Sequence, residues 1–418
     1  MYTSIRTIPA AAAGRRVRGG RIGSNVFLLG LVSLFTDLSQ EMVTAVLPLY
    51  VTFQLGIGAL GFGLVDGLYQ GSSALLRLVG GFVADRGGRH KQVAATGYGL
   101  SSVSKFGLVA SAGTFLPFTG FLVLDRFGKG IRTAPRDAMI SLSADEGVLG
   151  RAFGIHRTLD TVGALLGPLA AFILLSQIPH GFNTIFIVSA GISVIGLAIL
   201  LLFVRNPKTA EPETRAVEAP RVSARAAAAL LRRRDVSSIV IAGSALGLMT
   251  ISDGFVYLVL QHSADLSPRW FPLLYLGTAL FYLVLALPFG NLADRVGRAR
   301  VFLGGYVALV AMYVLLLNSS PGALIVLACL VLLGTYYAAT DGVLMALATN
   351  SIPERLRTSG FAIVTTATST SRLVGSIAFG AIWAAFGPEA SVYVFLVGLA
   401  VALPLAAVSL RRGAPKPA

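Results

Sequence analysis

The sequence predicts an all-α polytopic membrane protein of twelve transmembrane helices built as two six-helix repeats, and three observations carry that prediction. First, the 418 residues are 55% hydrophobic and 13% charged, with a mean hydropathy of +0.77. A water-soluble globule of this length cannot hide so much apolar surface, so lipid must cover a large part of it. Second, about twelve apolar runs are long enough to cross a hydrocarbon layer of about 30 Å. Third, one short pattern is written twice, about half the chain apart: Gly81-Phe-Val-Ala-Asp85-Arg86-Gly-Gly-Arg89 and Gly290-Asn-Leu-Ala-Asp294-Arg295-Val-Gly297-Arg298. Both copies read G-x-x-x-D-R-x-G-R, and each is a basic turn between two apolar runs, as duplication of a helical unit would leave it.

In chain order the spans fall near 25–54, 58–84, 91–114, 116–141, 151–177, 181–205, 237–263, 268–292, 299–319, 321–350, 358–386 and 388–410. The first follows a tail, residues 1–24, that carries Arg6, Arg15, Arg16, Arg18 and Arg21 with no acid. It is too long for a cleavable signal and leads directly into polar intramembrane residues. The second and third spans enclose the first basic turn, and the eighth and ninth enclose its copy. Between the sixth and seventh, residues 206–236 mix Pro207, Pro212 and Pro220 with Glu211, Glu213, Glu218 and the cluster Arg232, Arg233 and Arg234, which is linker chemistry. The chain therefore divides into an N-terminal bundle at 25–205, a linker at 206–236, a C-terminal bundle at 237–410 and a tail at 411–418.

Charge placement sets the orientation. A formal net charge of +15 would suggest nucleic acid as a partner in a soluble protein. Here Arg86, Arg89, Lys91, Arg151, Arg295, Arg298, Arg355 and Arg357 fall in connections on one side, whereas those on the other are nearly free of Lys and Arg, Arg269 excepted. The positive-inside rule then puts both termini in the cytoplasm of a plasma (inner) membrane protein, with the lipid bilayer and not nucleic acid as its partner. The single cysteine, Cys329, excludes an intrachain disulfide and a thiol-rich metal site.

The repetition extends beyond the turns. After Asp85 come Asp137, within Ala-Pro-Arg-Asp, and the run Gly150-Arg151-Ala-Phe-Gly154; after Asp294 come Asp341, within Ala-Ala-Thr-Asp, and Arg357-Thr-Ser-Gly360-Phe. On these residues the chain resembles the major facilitator superfamily of secondary transporters. The two turns look like that family's motif between helices two and three and its copy between eight and nine. The antiporter signature of helix five, G, eight residues, G-x-x-x-G-P-x-x-G-G, is similar to the stretch with Gly154, Gly163, Gly167 and Pro168, although Ala171 and Phe172 stand for its last two glycines. The helix-four pattern R-x-x-Q-G appears as Arg126-Phe-Gly-Lys129-Gly130, with Lys in place of Gln. The resemblance implies cytoplasmic latches in the outward-facing state, Arg89 with Asp137 and Arg298 with Asp341. Asp85 and Asp294 would face the N-terminal ends of helices eleven and five. Gly81, Arg86, Gly290 and Arg295 complete the gating set, and Gly154, Gly163 and Gly167 would let helices approach closely.

Ionisable groups inside the spans point to the site. Each costs about 2.5–3.5 kcal/mol at the bilayer centre on insertion scales, so it is expected to face water or a partner. Asp37 and Glu41 lie four apart on helix one, about 40° apart on one face, with Gln40 beside them. Two carboxylates so close in low dielectric do not both stay ionised, which suits a proton-coupling pair. Helix four carries Asp125, Lys129, Arg132 and Arg136 as one stripe, with Arg126 as a central cation able to pair with Asp37 or Glu41 and with Pro135 free to kink its lower end. Arg132 and Arg136 read as structural or anion-attracting. On helix five His156 and Asp160, one turn apart, could relay protons or bind a divalent cation. Asp253 of helix seven is the cavity residue expected from the second half, while Asp66, Arg77, Lys105 and Arg372 read as ion-paired.

No strand precedes the Gly-rich stretches and no P-loop lysine accompanies them, so neither ATP nor an enzymatic reaction is expected. No cofactor or resident metal is expected either. The leading reading is a monomeric, proton-coupled exporter of a small charged or amphiphilic solute. Its alternatives are a metal-cation exporter using Asp37, Glu41, His156 and Asp160, an organic-anion exporter, and a membrane sensor or lipid-handling scaffold that moves no cargo.

Overall fold

The computed structural model describes residues 22–85, 89–111, 113–206, 230–318, 321–352 and 357–413, with the side chains of 73–85, 146, 350, 357–359 and 413 left aside. Among the described residues the chain makes twelve helical passes. They are α1 (Ser24–Thr44, prolonged by a π-helical turn at Tyr50–Gln54), α2 (Ala59–Asp85), α3 (His90–Ala110), α4 (Phe115–Leu142), α5 (Leu149–Gln177) and α6 (Phe182–Leu202). The second set is α7 (Arg234–Leu248 and Asp253–Ser263), α8 (Phe271–Val296), α9 (Arg298–Leu316), α10 (Ala323–Thr340 and Val343–Ser351), α11 (Arg357–Phe386) and α12 (Pro388–Gly413). Each expected span thus has its helix, displaced at the ends by a few residues.

Packing within the two halves follows one plan. In the first, α1 lies on α5 and α6, α4 on α2 and α3, and α3 on α6; in the second, α7 lies on α11 and α12, α10 on α8 and α9, and α9 on α12. Adding six to each helix number turns one set into the other, which is the duplication seen in the paired turns. The halves meet through α2 against α11 and α5 against α8, again a symmetric pair.

Among the described residues, eight passes are long and apolar enough by composition to cross a bilayer. The charged α4 is not among them; Asp125, Arg126 and Arg132 are instead buried at 4%, 6% and 3% exposure, sheltered by neighbouring helices. The outward surface is greasy: Leu116, Leu202, Leu287, Leu324 and Phe386 are each at least 75% exposed. Such side chains are stable only against lipid.

Among the described residues three helices are interrupted, and each interruption has a local remedy or cause. In α7 the ladder breaks at Met249–Ser252, where the Tyr313 hydroxyl accepts from the Ile251 N–H at 2.7 Å and donates to the Met249 carbonyl at 3.1 Å. One side chain therefore satisfies two backbone groups that lipid could not. In α10 the break falls at Asp341–Gly342, where Gly342 takes φ +80°, a conformation natural to glycine. In α1 the helix loosens at Ala45 and Val46, ahead of Pro48. Pro135 lies within the continuous helix α4.

Both described chain ends lie on one face, the terminal face; the opposite face is called distal. The halves close on one another toward the distal face. Phe62 of α2 and Phe255 of α7 stack edge to face at 4.8 Å, Phe255 also meets Phe379 of α11 at 4.7 Å, and Phe172 of α5 meets Trp270 ahead of α8 at 5.3 Å. Toward the terminal face, by contrast, Asp341 is exposed and the Asp294 side chain is 72% exposed.

Candidate functional site

The close approach of α5 to α1 builds the first wall of the site. A Cβ on Gly163 would collide with the Leu34 carbonyl oxygen, and one on Gly167 would lie 2.6 Å from Glu41 Cβ. Bare backbone at these two positions thus sets the helix separation. Gly154 of the same motif has no neighbour within 4 Å of its Cβ position. It does not serve packing, a correction to the expectation for that residue.

The separation brings two carboxyls together. The Asp37 carboxyl makes a hydrogen-bonding contact with that of Asp160, which requires one proton between the two acids. Ser33 Oγ donates to Asp160 Oδ1 at 2.9 Å, and Arg157 Nη1 donates to Oδ2 at 3.0 Å. Arg136 of α4 donates from Nη1 to Ser33 at 3.1 Å and lies 4.0 Å from Asp160. The sequence suggested Asp37 with Glu41 as the carboxyl pair. In the fold one turn of helix separates their directions: Asp37 meets α5, whereas Glu41 accepts from Gln40 Nε2 at 3.2 Å and acts electrostatically on Arg126 and Tyr69.

Arg126 is also placed differently from the expectation. Its Nη2 donates to Asp125 Oδ2 at 3.1 Å and its guanidinium stacks over Tyr69, 3.8 Å from the ring centre. Asp125 is held on its other side by Lys105 of α3 at 3.7 Å. The adjacent acid captures the guanidinium because it needs no second helix to reach it. Lys129 is half-buried between Asp37, Glu41, Arg126 and Arg132. Arg132 is structural: it donates to Ser101 at 2.7 Å and lies over Tyr98, where Gly97 and Gly128 let α3 and α4 touch.

The second wall belongs to the C-terminal half and is rich in tyrosine. Tyr337 of α10 donates to Asp253 Oδ1 at 2.6 Å, and Arg372 of α11 donates to the Tyr336 hydroxyl at 3.0 Å. Asp66 of α2 accepts from Ser376 of α11 at 2.7 Å, a bond between the halves. Asp66 and Arg372 stand out as charged residues in apolar runs, but no sequence signal gives them these partners; Tyr69 and Tyr337 carry no signal at all.

His156 is 3% exposed and approaches the Leu29 backbone of α1, and among the described residues neither ring nitrogen makes a hydrogen bond of normal geometry. Among the described residues, Asp37, Glu41, His156 and Asp160 do not gather into a group of three or more metal-ligating side chains. The arrangement offered for a metal cation is therefore not assembled.

The expected latches are open. Asp137 is bound by its neighbour Arg136 at 3.0 Å, and Arg89 is exposed. Arg298 pairs with Asp294 at 3.6 Å and donates to the Ala346 carbonyl at 2.7 Å, while Asp341 accepts from Tyr282 at 3.2 Å. Asp294 thus faces Arg298 and solvent, not the end of α5. Latches assigned to the outward-facing state have no reason to form in a conformation closed at the distal end. Gly290 and Arg295 are exposed at the end of α8. Arg86 lies outside the described residues, as does most of the 206–236 linker, and of Gly81 and Asp85 only the helical backbone is described.

The model of the Major Facilitator Superfamily matches residues 29–279 and 254–418. An uncharacterized MFS-type transporter of Methanocaldococcus jannaschii is 31% identical over 387 residues, 91% of this chain and 93% of the relative. A multidrug resistance protein, MdtG, of Serratia proteamaculans is 29% identical over 191 residues, which is 44% of this chain and 45% of that protein. Among solved structures, the nucleoside transporter NupG (D323A mutant) superposes with a TM-score of 0.78 at 14% identity, covering 92% of this chain and 99% of its own. A bacterial homolog of the human lysosomal transporter Spinster, inward-facing and unoccupied, gives 0.75 at 15% identity over 94% and 98% of the two chains.

Proposed function

This chain belongs to the major facilitator superfamily and is a membrane transporter, not an enzyme, and from that premise we propose that it exports a small charged or amphiphilic solute in exchange for protons by alternating access. The contact between the Asp37 and Asp160 carboxyls is the observation that carries the reading. A proton shared by two acids is bound where a third group, Arg136, can stabilise the anion left when it departs. In this reading, loss of the proton at the terminal face exposes two carboxylates to each other and to Lys129, which favours the opposite conformation. Proton uptake from the distal side restores the first. Asp37 and Asp160 form the coupling site. Glu41, Arg126, Lys129 and Asp253 line the cargo path, and His156 stands one turn from Asp160 as a second proton acceptor. The multidrug resistance protein among the relatives supports the outward direction.

The gating assignments remain part of the same proposal. Arg89 with Asp137, and Arg298 with Asp341, close the terminal face when the distal face opens; Asp85, Arg86 and Arg295 hold the turns that bear them. The excess of Lys and Arg on the terminal side supports a plasma (inner) membrane location with both termini in the cytoplasm. We assign the working unit as a monomer, since each half already supplies the other's interface.

Lys129, half-buried and without an ion pair within 4 Å among the described residues, favours a second form of the reading in which the cargo carries an anionic group. The test begins with a growth screen of overexpressing and deleted strains against antibiotics, metals and metabolites. Each hit is then added to everted membrane vesicles with an acid interior while a pH-sensitive dye is followed. A hit that raises the interior pH only when the protein is present supports exchange with protons. Downhill transport of a hit with no change in the dye would overturn it.

A further inference from the structure

The distal closure contains a pair of acids, Asp66 and the cargo-path residue Asp253, to which neither the sequence motifs nor the coupling site assigns a part in closing that face. Where α2 meets the second segment of α7, Phe62 presses on Gly254 so closely that a Cβ there would lie 2.6 Å from the Phe62 ring. Asp66 lies one turn from Phe62 on α2, and Asp253 is the residue before Gly254. The two acids therefore come from opposite halves and converge on the same contact, with Asp66 close enough to act electrostatically on Asp253.

The groups around them do not neutralise the pair. Asp66 is 7% exposed and is approached by Ser376 of α11, by Gln70 of its own helix and by Ser252 at the break in α7. The Ser252 hydroxyl is itself buried and lacks a hydrogen bond of normal geometry, so it is a spare donor or acceptor aimed at that acid. Asp253 is approached by Tyr337 of α10, by Arg372 of α11 and by Glu41 of α1. Arg372 is the cation in this set, and its hydrogen bond goes to Tyr336. The pair thus has one guanidinium beside it, which approaches at Asp253, in a closed, low-dielectric contact where two ionised acids on opposite halves push those halves apart.

Resting on the proton-coupled reading above, we propose that Asp66 and Asp253 form a proton-operated latch of the distal closure. With a proton on the pair, the halves stay shut at the distal face; with both acids ionised, they separate. The proton comes from distal water while that face is open and leaves by the same route when it reopens. The empty transporter can therefore turn back toward the terminal face only after it has been loaded with a proton from outside. This gates the return step by the proton concentration on the distal side, with no proton carried across at this pair; the proton that crosses the membrane is the one at Asp37 and Asp160.

The latch is tested without any cargo. In the full-length chain carrying Cys329→Ala, spin labels at Ile178 and Leu324, exposed near the distal ends of the two halves, report the distal separation in nanodiscs between about pH 5 and pH 8. The wild-type distance is expected to lengthen by several ångströms as pH rises, whereas Asp66→Asn and Asp253→Asn keep the short distance throughout. Asp66→Glu is expected to retain the transition, which separates charge from shape, and Asp253→Asn decides alone if the α2 variant does not fold. A wild-type distance indifferent to pH, or asparagine variants that titrate like wild type, would overturn the latch. Asp37→Asn separates the two proposals. It should keep the distal transition while losing gradient-driven transport; full transport in Asp37→Asn with the transition still abolished by Asp253→Asn would sink the coupling site and leave the latch standing.

Discussion

Asp37 of α1 and Asp160 of α5 touch through their carboxyl groups, and Ser33 holds Asp160 in place from the same helix that carries Asp37, at 2.9 Å. The contact exists because two glycines of α5 let its backbone reach that of α1. Replacing Asp160 with Asn keeps the shape and removes the exchangeable proton. Infrared difference spectra on a pH step are expected to show a protonated-carboxyl band in wild type that disappears in both Asp37→Asn and Asp160→Asn but survives in Glu41→Gln. A band lost only in Glu41→Gln would return the proton to the pair suggested by the sequence.

The ion pair of Lys105 with Asp125 is 2% and 5% exposed at its two side chains. Removing one member leaves a buried charge uncompensated, so Asp125→Ala is expected to cost about 3–5 kcal/mol. Because Asp125 also holds the buried Arg126 at 3.1 Å, the apolar exchange must take all three charges, and Lys105→Met with Asp125→Leu and Arg126→Met should cost much less than the sum of the single losses. Thermal unfolding in detergent measures both, and additive losses would contradict the pairing.

The helix-five glycines are predicted to differ sharply among themselves. Gly163→Ala drives a methyl into the Leu34 carbonyl and should cost about 1–3 kcal/mol, the usual range for overpacking. Gly154→Ala enters open space and should change stability by less than about 0.5 kcal/mol. Equal effects at the two positions, read from melting temperatures, would mean that the motif acts through something other than contact with α1.

The break in α7 is held by one hydroxyl. Tyr313→Phe strands the Ile251 N–H and the Met249 carbonyl in an apolar setting and is expected to cost about 1–3 kcal/mol. Hydrogen exchange at residues 249–252 should rise at the same time. A stable variant with unchanged exchange would show that the break needs no clamp.

Much of the fold was legible because a membrane writes long apolar runs, and the repeated turn announced the duplication; all twelve spans and the division into halves follow from those two signals. Of the site, the sequence displayed the charges but not their directions. Asp37 and Glu41 share a helical face, yet they serve different neighbours because the choice depends on which helix packs at which height. Arg126 was expected to reach helix one and is taken instead by Asp125 beside it. Asp66, Tyr337 and Ser376 matter through contacts between segments far apart in the chain, and no local pattern encodes those. The open latches reflect conformation: a sequence describes every state of a transporter at once, and a structure holds one.

The account rests most heavily on protons being the driving ion, and one measurement tests this directly. A cargo identified by the growth screen is loaded with the purified protein into liposomes, and its accumulation is followed with and without an imposed pH gradient at zero membrane potential. The account predicts uphill accumulation only with the gradient in wild type, and in Asp160→Asn equilibration of the cargo with no accumulation above the external concentration. Wild-type accumulation that is the same with and without the gradient would contradict it.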